Sequence, residues 1–348
     1  MTRKIVALTE GHSNPQSAKT ARNLIYYCPG DVVALFDRFN VGKTSLELLG
    51  VGDVPVIGSL EDVKDANTLI MSVALPGGKL PQCFKEIMLE AISKKMKIIS
   101  CGHEFISDDP DLVIAAKSAN VSLTDIRKNN ERDVAHRKGI KANCLRILTV
   151  GNDCSLGKMV TSLELARALQ KKGHDAKFVA TGQTGMLIEG DGIPIDAVVG
   201  DYINGAAEKL ILQNQHHDIL IIEGQGSIVH PRYSSVALGL LHGSLPHGML
   251  MCYEVGREFV HNMPGIKIPI MDIVIRLFEE IATVMFPSKV IGFALNSKNV
   301  SEVEAEKERK RIKEQFGLPA CDVVRHGPEE LLDAIIRFKK EVISGREL

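Results

Sequence analysis

Twice along its length the chain alternates short apolar runs with amphipathic stretches of helical spacing. A chain built this way folds into parallel sheets, because each helix carries the backbone back to start the next strand in the same direction. In the first half the strand-like runs cover residues 4–8, 31–36, 54–59, 68–74 and 97–100. Helical pieces at 18–25 and 81–95 lie between them, and the second sets Phe84, Ile87, Met88, Ala91 and Ile92 on one stripe. In the second half the runs cover 146–150, 176–181, 218–224, 248–253, 289–295 and 321–324. Helical patterns at 160–172, 203–213, 301–316 and 329–343 separate them. Between the halves, residues 127–141 are polar and read as a solvated linker, which puts the junction near residue 140. The expected class is α/β with two domains, 1–140 and 141–348.

The strongest motif follows the first run of the second half. Residues 151–159 read GNDCSLGKM, between a strand pattern and a helix pattern. Strand, glycine turn and helix start together aim several backbone N–H groups at one anion. Gly151 permits the turn, Gly157 removes a Cβ from the approach to a phosphate, and Lys158 supplies positive charge. The usual phosphate-binding pattern, G-x-x-x-x-G-K followed by Ser or Thr, is one residue shorter and ends on a hydroxyl for Mg²⁺. Met159 offers no such oxygen. The loop therefore reads as one that holds phosphate without moving it. Asn152, Asp153, Cys154, Ser155 and Leu156 complete its lining. A second GKT at residues 42–44 lacks the opening glycine and reads as a connecting turn.

Other candidates lie at the carboxyl ends of later strands, where ligands of open sheets bind. Gln183, Thr184 and Gly185 follow the run 176–181, and Asp196 and Asp201 follow soon after, with Asp201 placed to cap a helix. The run 218–222 delivers Glu223 into Gly224-Gln225-Gly226. A carboxylate at the end of an apolar strand calls for a partner, a metal or a base role. His230, Arg232 and Tyr233 add a titratable ring, an anion fork and a hydroxyl within ten residues. His242 and His247 lie beside glycines and could support the site from behind. Asn296 closes the run 289–295 in a position suited to reading an adenine.

Charge and cysteine content narrow the class further. A net charge of −1 gives no field to attract nucleic acid or an anionic membrane. Seven dispersed cysteines without a C-x-x-C pair suggest reduced thiols and a cytoplasmic location. No apolar stretch approaches the roughly 18 residues of a membrane span. The first turn, residues 9–14, lacks G-x-G-x-x-G, so no dinucleotide site is expected there. A small-molecule substrate is expected, and the sequence is compatible with a homo-oligomer.

The loop resembles the G-x-D-x-x-x-G-K variant of dethiobiotin synthetase and related proteins through Gly151, Asp153, Gly157 and Lys158. More widely, residues 151–158, 182–185 (GQTG), 223–234 (EGQGSIVHPRYS) and 238–244 (LGLLHGS) resemble a family catalogued as a domain of unknown function. That resemblance implies a Rossmann-like parallel sheet followed by a P-loop NTPase-like parallel sheet. It also implies D-glutamate N-acetyltransferase activity with acetyl-CoA. On that reading the loop and Asn296 hold coenzyme A, no metal is required, and Glu223 or His230 is the base. Glycine N–H groups at 224–226 would face the oxyanion. Gln183, Thr184, Gly185, Gln225, Gly226, Arg232 and Tyr233 would contact substrate, with Arg232 or Arg257 on its carboxylate. A rival is an ATP- and Mg²⁺-dependent ligase or kinase, in which Asp153, Asp196, Asp201 and Glu223 would serve the metal. A third is a nucleotide-binding protein without turnover.

Overall fold

The computed structural model of the protein describes residues 3–73, 75 and 78–343. The end of the run expected at 68–74 falls at residue 74, outside the described residues. The chain forms two compact units, residues 1–128 with 186–190, and residues 129–185 with 191–348.

In the first unit the elements run β1 (Ile5–Leu8), α1 (Lys19–Tyr27), β2 (Val32–Phe36), α2 (Ser45–Leu49), β3 (Val56–Ile57), β4 (Thr68–Met71), α3 (Gln82–Ser93), β5 (Lys97–Ser100), α4 (Pro110–Ala119) and β6 (Leu123–Asp125). The sheet is parallel, in the order β3-β2-β1-β4-β5-β6. Ile5, Val6, Ala7 and Leu8 are all buried, as expected of a central strand covered on both faces. The stripe read on α3 is the buried one, with Phe84, Ile87, Met88, Ala91 and Ile92 all in the core. Burying each large member of that stripe stabilises the fold by about 1.5–3 kcal/mol. At the second GKT, the Glu47 carboxylate accepts the Thr44 amide at 2.8 Å just ahead of α2, so the segment opens a short helix.

The second unit contains β7 (Leu145–Gly151), α5 (Lys158–Lys171), β8 (Ala176–Val179), α6 (Gln183–Glu189), α7 (Ile203–Asn214), β9 (Ile219–Ile222), α8 (Ser234–Ser244), β10 (Gly248–Glu254), α9 (Met271–Met285), β11 (Lys289–Asn296), α10 (Glu302–Phe316), β12 (Ala320–Cys321) and α11 (Glu329–Ile343). Its parallel sheet has the order β12-β11-β10-β7-β9-β8. The strand ahead of the glycine loop, β7, sits centrally between β9 and β10. The carboxyl ends of all three strands therefore share one edge, and the candidate residues collect there. The α6 helix starts in the second unit, while its residues 186–189, with Gly190 after them, belong to the first.

Residues 129–140, though mostly exposed, belong to the second unit and are pinned to it rather than forming a free linker. The buried Glu208 on α7 accepts the amides of His136 at 2.8 Å and Arg137 at 2.7 Å. Lys209 pairs with Glu131 at 3.0 Å, and the Asn129 side chain donates to the Ala197 carbonyl. Gly205 makes the approach possible, since a Cβ there would lie 1.9 Å from the Asp133 carbonyl oxygen. The polar composition reflects side-chain clamping of backbone donors, which periodicity cannot show. Glu208→Ala leaves two amides without their acceptor, so trypsin should cut after Arg132, Arg137 and Lys138 about tenfold faster or more. Digestion followed by mass spectrometry measures this, and cleavage at the wild-type rate would refute the clamp.

Candidate functional site

The loop between β7 and α5 is shaped by what its carbonyls meet. Lys158 Nζ donates to the Asp153 carbonyl at 2.8 Å, Arg257 Nη1 to the Cys154 carbonyl at 2.8 Å, and Asn296 Nδ2 to the Leu156 carbonyl at 3.0 Å. Drawing carbonyls onto side-chain donors leaves the amide-bearing side of the loop as the face suited to an anion. Ser155 at φ 56° and Gly157 at φ 101° supply the left-handed backbone this needs. Gly151 is required as well, because a Cβ would come within 2.7 Å of Leu156 and 2.8 Å of the Cys252 carbonyl. Lys158 is buried, and burial pulls its pKa below the ordinary lysine value.

Asp153 organises this loop and is fully buried. One carboxylate oxygen accepts the Cys154 amide at 2.7 Å; the other accepts Arg257 Nη1 at 2.9 Å and the His261 amide at 2.8 Å. Arg257 also reaches Glu254 at 2.6 Å. The guanidinium expected on a substrate carboxylate is therefore engaged with two carboxylates and the loop itself. This is a correction to the expected role of Arg257, set by residues more than a hundred positions apart.

Asp153, Cys154 and His230 bring potential ligand atoms within 4.8 Å of one another. Proton placement argues against a metal there. The Arg232 amide donates to His230 Nδ1 at 3.0 Å, so the neutral ring carries its proton on Nε2. That atom lies 3.4 Å from Asp153 Oδ1 without completing a hydrogen bond. A protonated nitrogen neither ligates a cation nor accepts a proton. His230 is thus a donor toward Asp153 rather than a base, and burial holds its pKa below the ordinary histidine value. The Tyr233 ring lies 4.6 Å from that of His230, while Arg232 is exposed.

Glu223 stands at the end of β9 and is buried. Its Oε2 accepts the amides of Thr181 at 2.9 Å and Gly182 at 3.1 Å. Burial pushes the carboxyl up to about 7, against the opposing pull of those two amides, and Asp196 adds to the rise. Two glycines of the 182–185 segment exist for this carboxylate. A Cβ at Gly185 would lie 2.6 Å from Oε2, and one at Gly182 would lie 3.2 Å from Oε1 and 2.6 Å from Gln225 Nε2. The Gly224 amide donates to Thr149 Oγ1 at 2.9 Å, so it is not free to meet an oxyanion, and that expectation moves to Gln225 and Gly226. A Cβ placed on Gly224 would come within 3.1 Å of Lys158 Cδ, which puts the Glu223 corner directly against the glycine loop.

Comparison with known proteins fits this geometry. A family model described as the P-loop domain of DUF1611, a domain of unknown function, matches residues 132–332, and its Rossmann-like companion matches residues 38–129. The chain belongs to the DUF1611 family. It is 35% identical over 306 residues to a D-glutamate N-acetyltransferase of Tritonibacter scottomollicae, covering 85% of this chain and 89% of that one. It is 37% identical over 268 residues to another of that name from a Pseudoalteromonas species, covering 77% and 80%. Among solved structures, a DUF1611 family protein of Anabaena variabilis aligns with a TM-score of 0.91 at 34% identity, over 96% of this chain and 99% of that one.

Within this DUF1611 chain the sequence-read residues divide into groups. Gly151 to Met159, Asn296, Glu223, Gln225, Gly226 and His230 collect at the sheet edge, with Gln183, Thr184 and Gly185 opening α6 beside Glu223. Asp196 and Asp201 are exposed and contribute nothing to the ligand-atom cluster of Asp153. Asp201 does not cap α7 either, since Tyr202 holds that position and no side chain caps it. The segment 238–244 is helix α8, whose glycines admit α7: a Cβ at Gly243 would lie 2.3 Å from the Asn204 carbonyl. Sequence reasoning missed Thr149, Ser162, Thr181 and His261. A polar Thr149 inside an apolar strand was the available signal, and it bonds Ser162 at 2.9 Å. An open cleft of about 760 Å³ lies elsewhere, lined by Lys313, Glu330, Asp333 and Arg337, and includes none of these residues. Among the described residues, no helix is long and apolar enough to cross a membrane.

Proposed function

We propose that the protein is an N-acetyltransferase that moves the acetyl group of acetyl-CoA to the amino group of D-glutamate or a close relative. The observation that carries the reading is Glu223, a buried carboxyl poised near neutral pH against an anion-binding loop. A general base for amine acylation needs a pKa near the working pH. The relatives named D-glutamate N-acetyltransferase supply the substrate class.

The loop suits the phosphates of coenzyme A. Its amides, Lys158 and the helix start of α5 would hold them, and the buried His230 Nε2, a donor in this tautomer, lacks a hydrogen-bond partner beside the loop. Acetyl-CoA would supply the acyl group as an activated thioester. Glu223 would take a proton from the attacking amine, and the amides of Gln225 and Gly226 would face the oxygen that becomes negative. Collapse of the tetrahedral adduct would then break the C–S bond and release coenzyme A as a thiolate that takes up a proton. Asp153 acts through Arg257 and His261 to hold the loop. An Mg²⁺-dependent phosphoryl transfer is less well served, because Asp153 is engaged and Met159 has no oxygen.

The test is mass-spectrometric detection of N-acetyl product from purified protein, acetyl-CoA and separate D- and L-glutamate, with and without chelator. Product from D-glutamate that survives chelation is expected. No product from any amino acid, together with Mg²⁺-dependent ATP turnover, would replace this reading with the phosphotransfer one.

A further inference from the structure

The α9 helix carries one wide apolar arc, and the core covers only part of it. Val274, Phe278 and Ala282, four residues apart, are buried. A second stripe consists of Ile270, just before the helix, then Ile273, Leu277, Ile281 and Val284. At 100° per residue the four helical positions fall within about 80° of arc, and Ile270, on extended backbone at the cap, leads into them. Ile270 is 66% exposed, Ile273 38% and Val284 76%, while Leu277 and Ile281 are half-buried. A solvent-facing apolar stripe of this length on a four-turn helix calls for a cover.

The stripe has a property that selects the cover: it reads the same in both directions about Leu277. Ile273 and Ile281 stand four residues to either side of Leu277, and Ile270 and Val284 stand seven. A twofold axis through Leu277 would lay an antiparallel copy of α9 on the first. Ile273 would then meet Ile281 of the second copy, Ile270 would meet Val284, and Leu277 would meet itself. On the flank away from the core lie Arg276 and Glu280, both exposed and 3.9 Å apart as a loose pair within the helix, which leaves each able to exchange its partner for the other chain's. In the same arrangement Arg276 faces Glu280 of the second copy, and symmetry makes that pair twice. Palindromic apolar spacing with self-complementary charge is what an isologous contact requires. A lipid surface or an unrelated protein would impose neither feature.

We infer that α9 is the contact helix of a twofold homodimer, packed antiparallel on its own copy through Ile270, Ile273, Leu277, Ile281 and Val284. The contact lies on the second unit and does not depend on the proposed acetyl transfer.

Sedimentation velocity across about 1–100 µM tests it, a range set by the micromolar affinities of modest interfaces. The wild type should dimerise, or form a larger assembly containing this dimer. Ile273→Glu and Val284→Glu each place a charge against apolar surface and should weaken the dimer about a hundredfold or more. Both positions are exposed in the single chain, so unchanged circular dichroism should accompany the loss. Val303→Glu, on the 79% exposed Val303 of α10, should leave association unchanged. Arg276→Glu should also weaken the dimer, and adding Glu280→Arg should restore it. Independently, Leu277→Cys should oxidise to a disulfide joining residue 277 of two chains, identified by peptide mass spectrometry against the seven native cysteines. A monomer throughout the range, a dimer indifferent to both glutamate variants, or the absence of the 277–277 peptide would overturn the inference.

Discussion

Glu223→Gln is expected to lower kcat by about a thousandfold while leaving the folded protein at least as stable as the wild type at pH 8. The first part follows from removing a general base, which typically contributes about 10²–10⁴-fold. The second follows from the direction of its pKa shift. Glu223 rises from an ordinary 4.5 to about 7, so between those values the folded protein holds the proton more tightly than the unfolded chain does. The stability this group lends is present at acid pH and is lost as pH rises through that window. Glutamine keeps an oxygen for the Thr181 and Gly182 amides and never ionises, so it removes a burial cost of a few kcal/mol at pH 8. In the wild type, log kcat/KM should climb with pH and level off above about 7, the value of the Glu223 carboxyl. His230→Gln should lower the rate but leave that midpoint in place, as befits a positioning residue. A midpoint that disappears with His230 and persists without Glu223 would exchange the two assignments.

Gly224→Ala should be the most destabilising single-methyl substitution in the site, by about 3–5 kcal/mol. The added Cβ would sit 1.7 Å from the Thr149 carbonyl oxygen, so the backbone must part where β9 passes β7. That movement also breaks the bond from the Gly224 amide to Thr149 Oγ1. Gly190→Ala is the matched control. Gly190 has φ +79° but open space around it, and the cost should be about 1–2 kcal/mol of backbone strain alone. Urea denaturation of both variants separates collision from strain. Equal losses would mean that the loop adapts and that the close approach at Gly224 carries no weight.

How much of this was legible in the sequence depended on which neighbours fix each element. Strands buried on both faces appear as bare apolar runs, and β1, β2, β5, β7, β9, β10 and β11 lie where those runs stand. The short edge strand β6 has a half-exposed pattern and gave no run to find. The α4 helix opens with Asp109 as its cap and Pro110 in its first turn, signals present in the sequence but attached to a short apolar pattern. The α9 helix has a clear helical period, with its polar residues Asp272, Arg276, Glu279, Glu280 and Thr283 on one side, and was there to be read. In the site, the glycine loop was visible because strand, turn and lysine are contiguous. The engagement of Asp153 by Arg257, and the amide that fixes the His230 proton, arise from tertiary approach and leave no local trace.

The short segment 186–190 also sets an order of events for a newly made chain. Leu187 is buried among the first unit's core residues, and its carbonyl accepts Arg3 Nη1 at 3.0 Å. A ribosome that has released residues 1–128 has therefore not yet delivered everything the N-terminal core contains. That core closes only after β7, the glycine loop, α5 and β8 have emerged. Synthesis from the N-terminus thus does not complete the two units in turn, and a gene cut between them would leave the first fragment without part of its own interior.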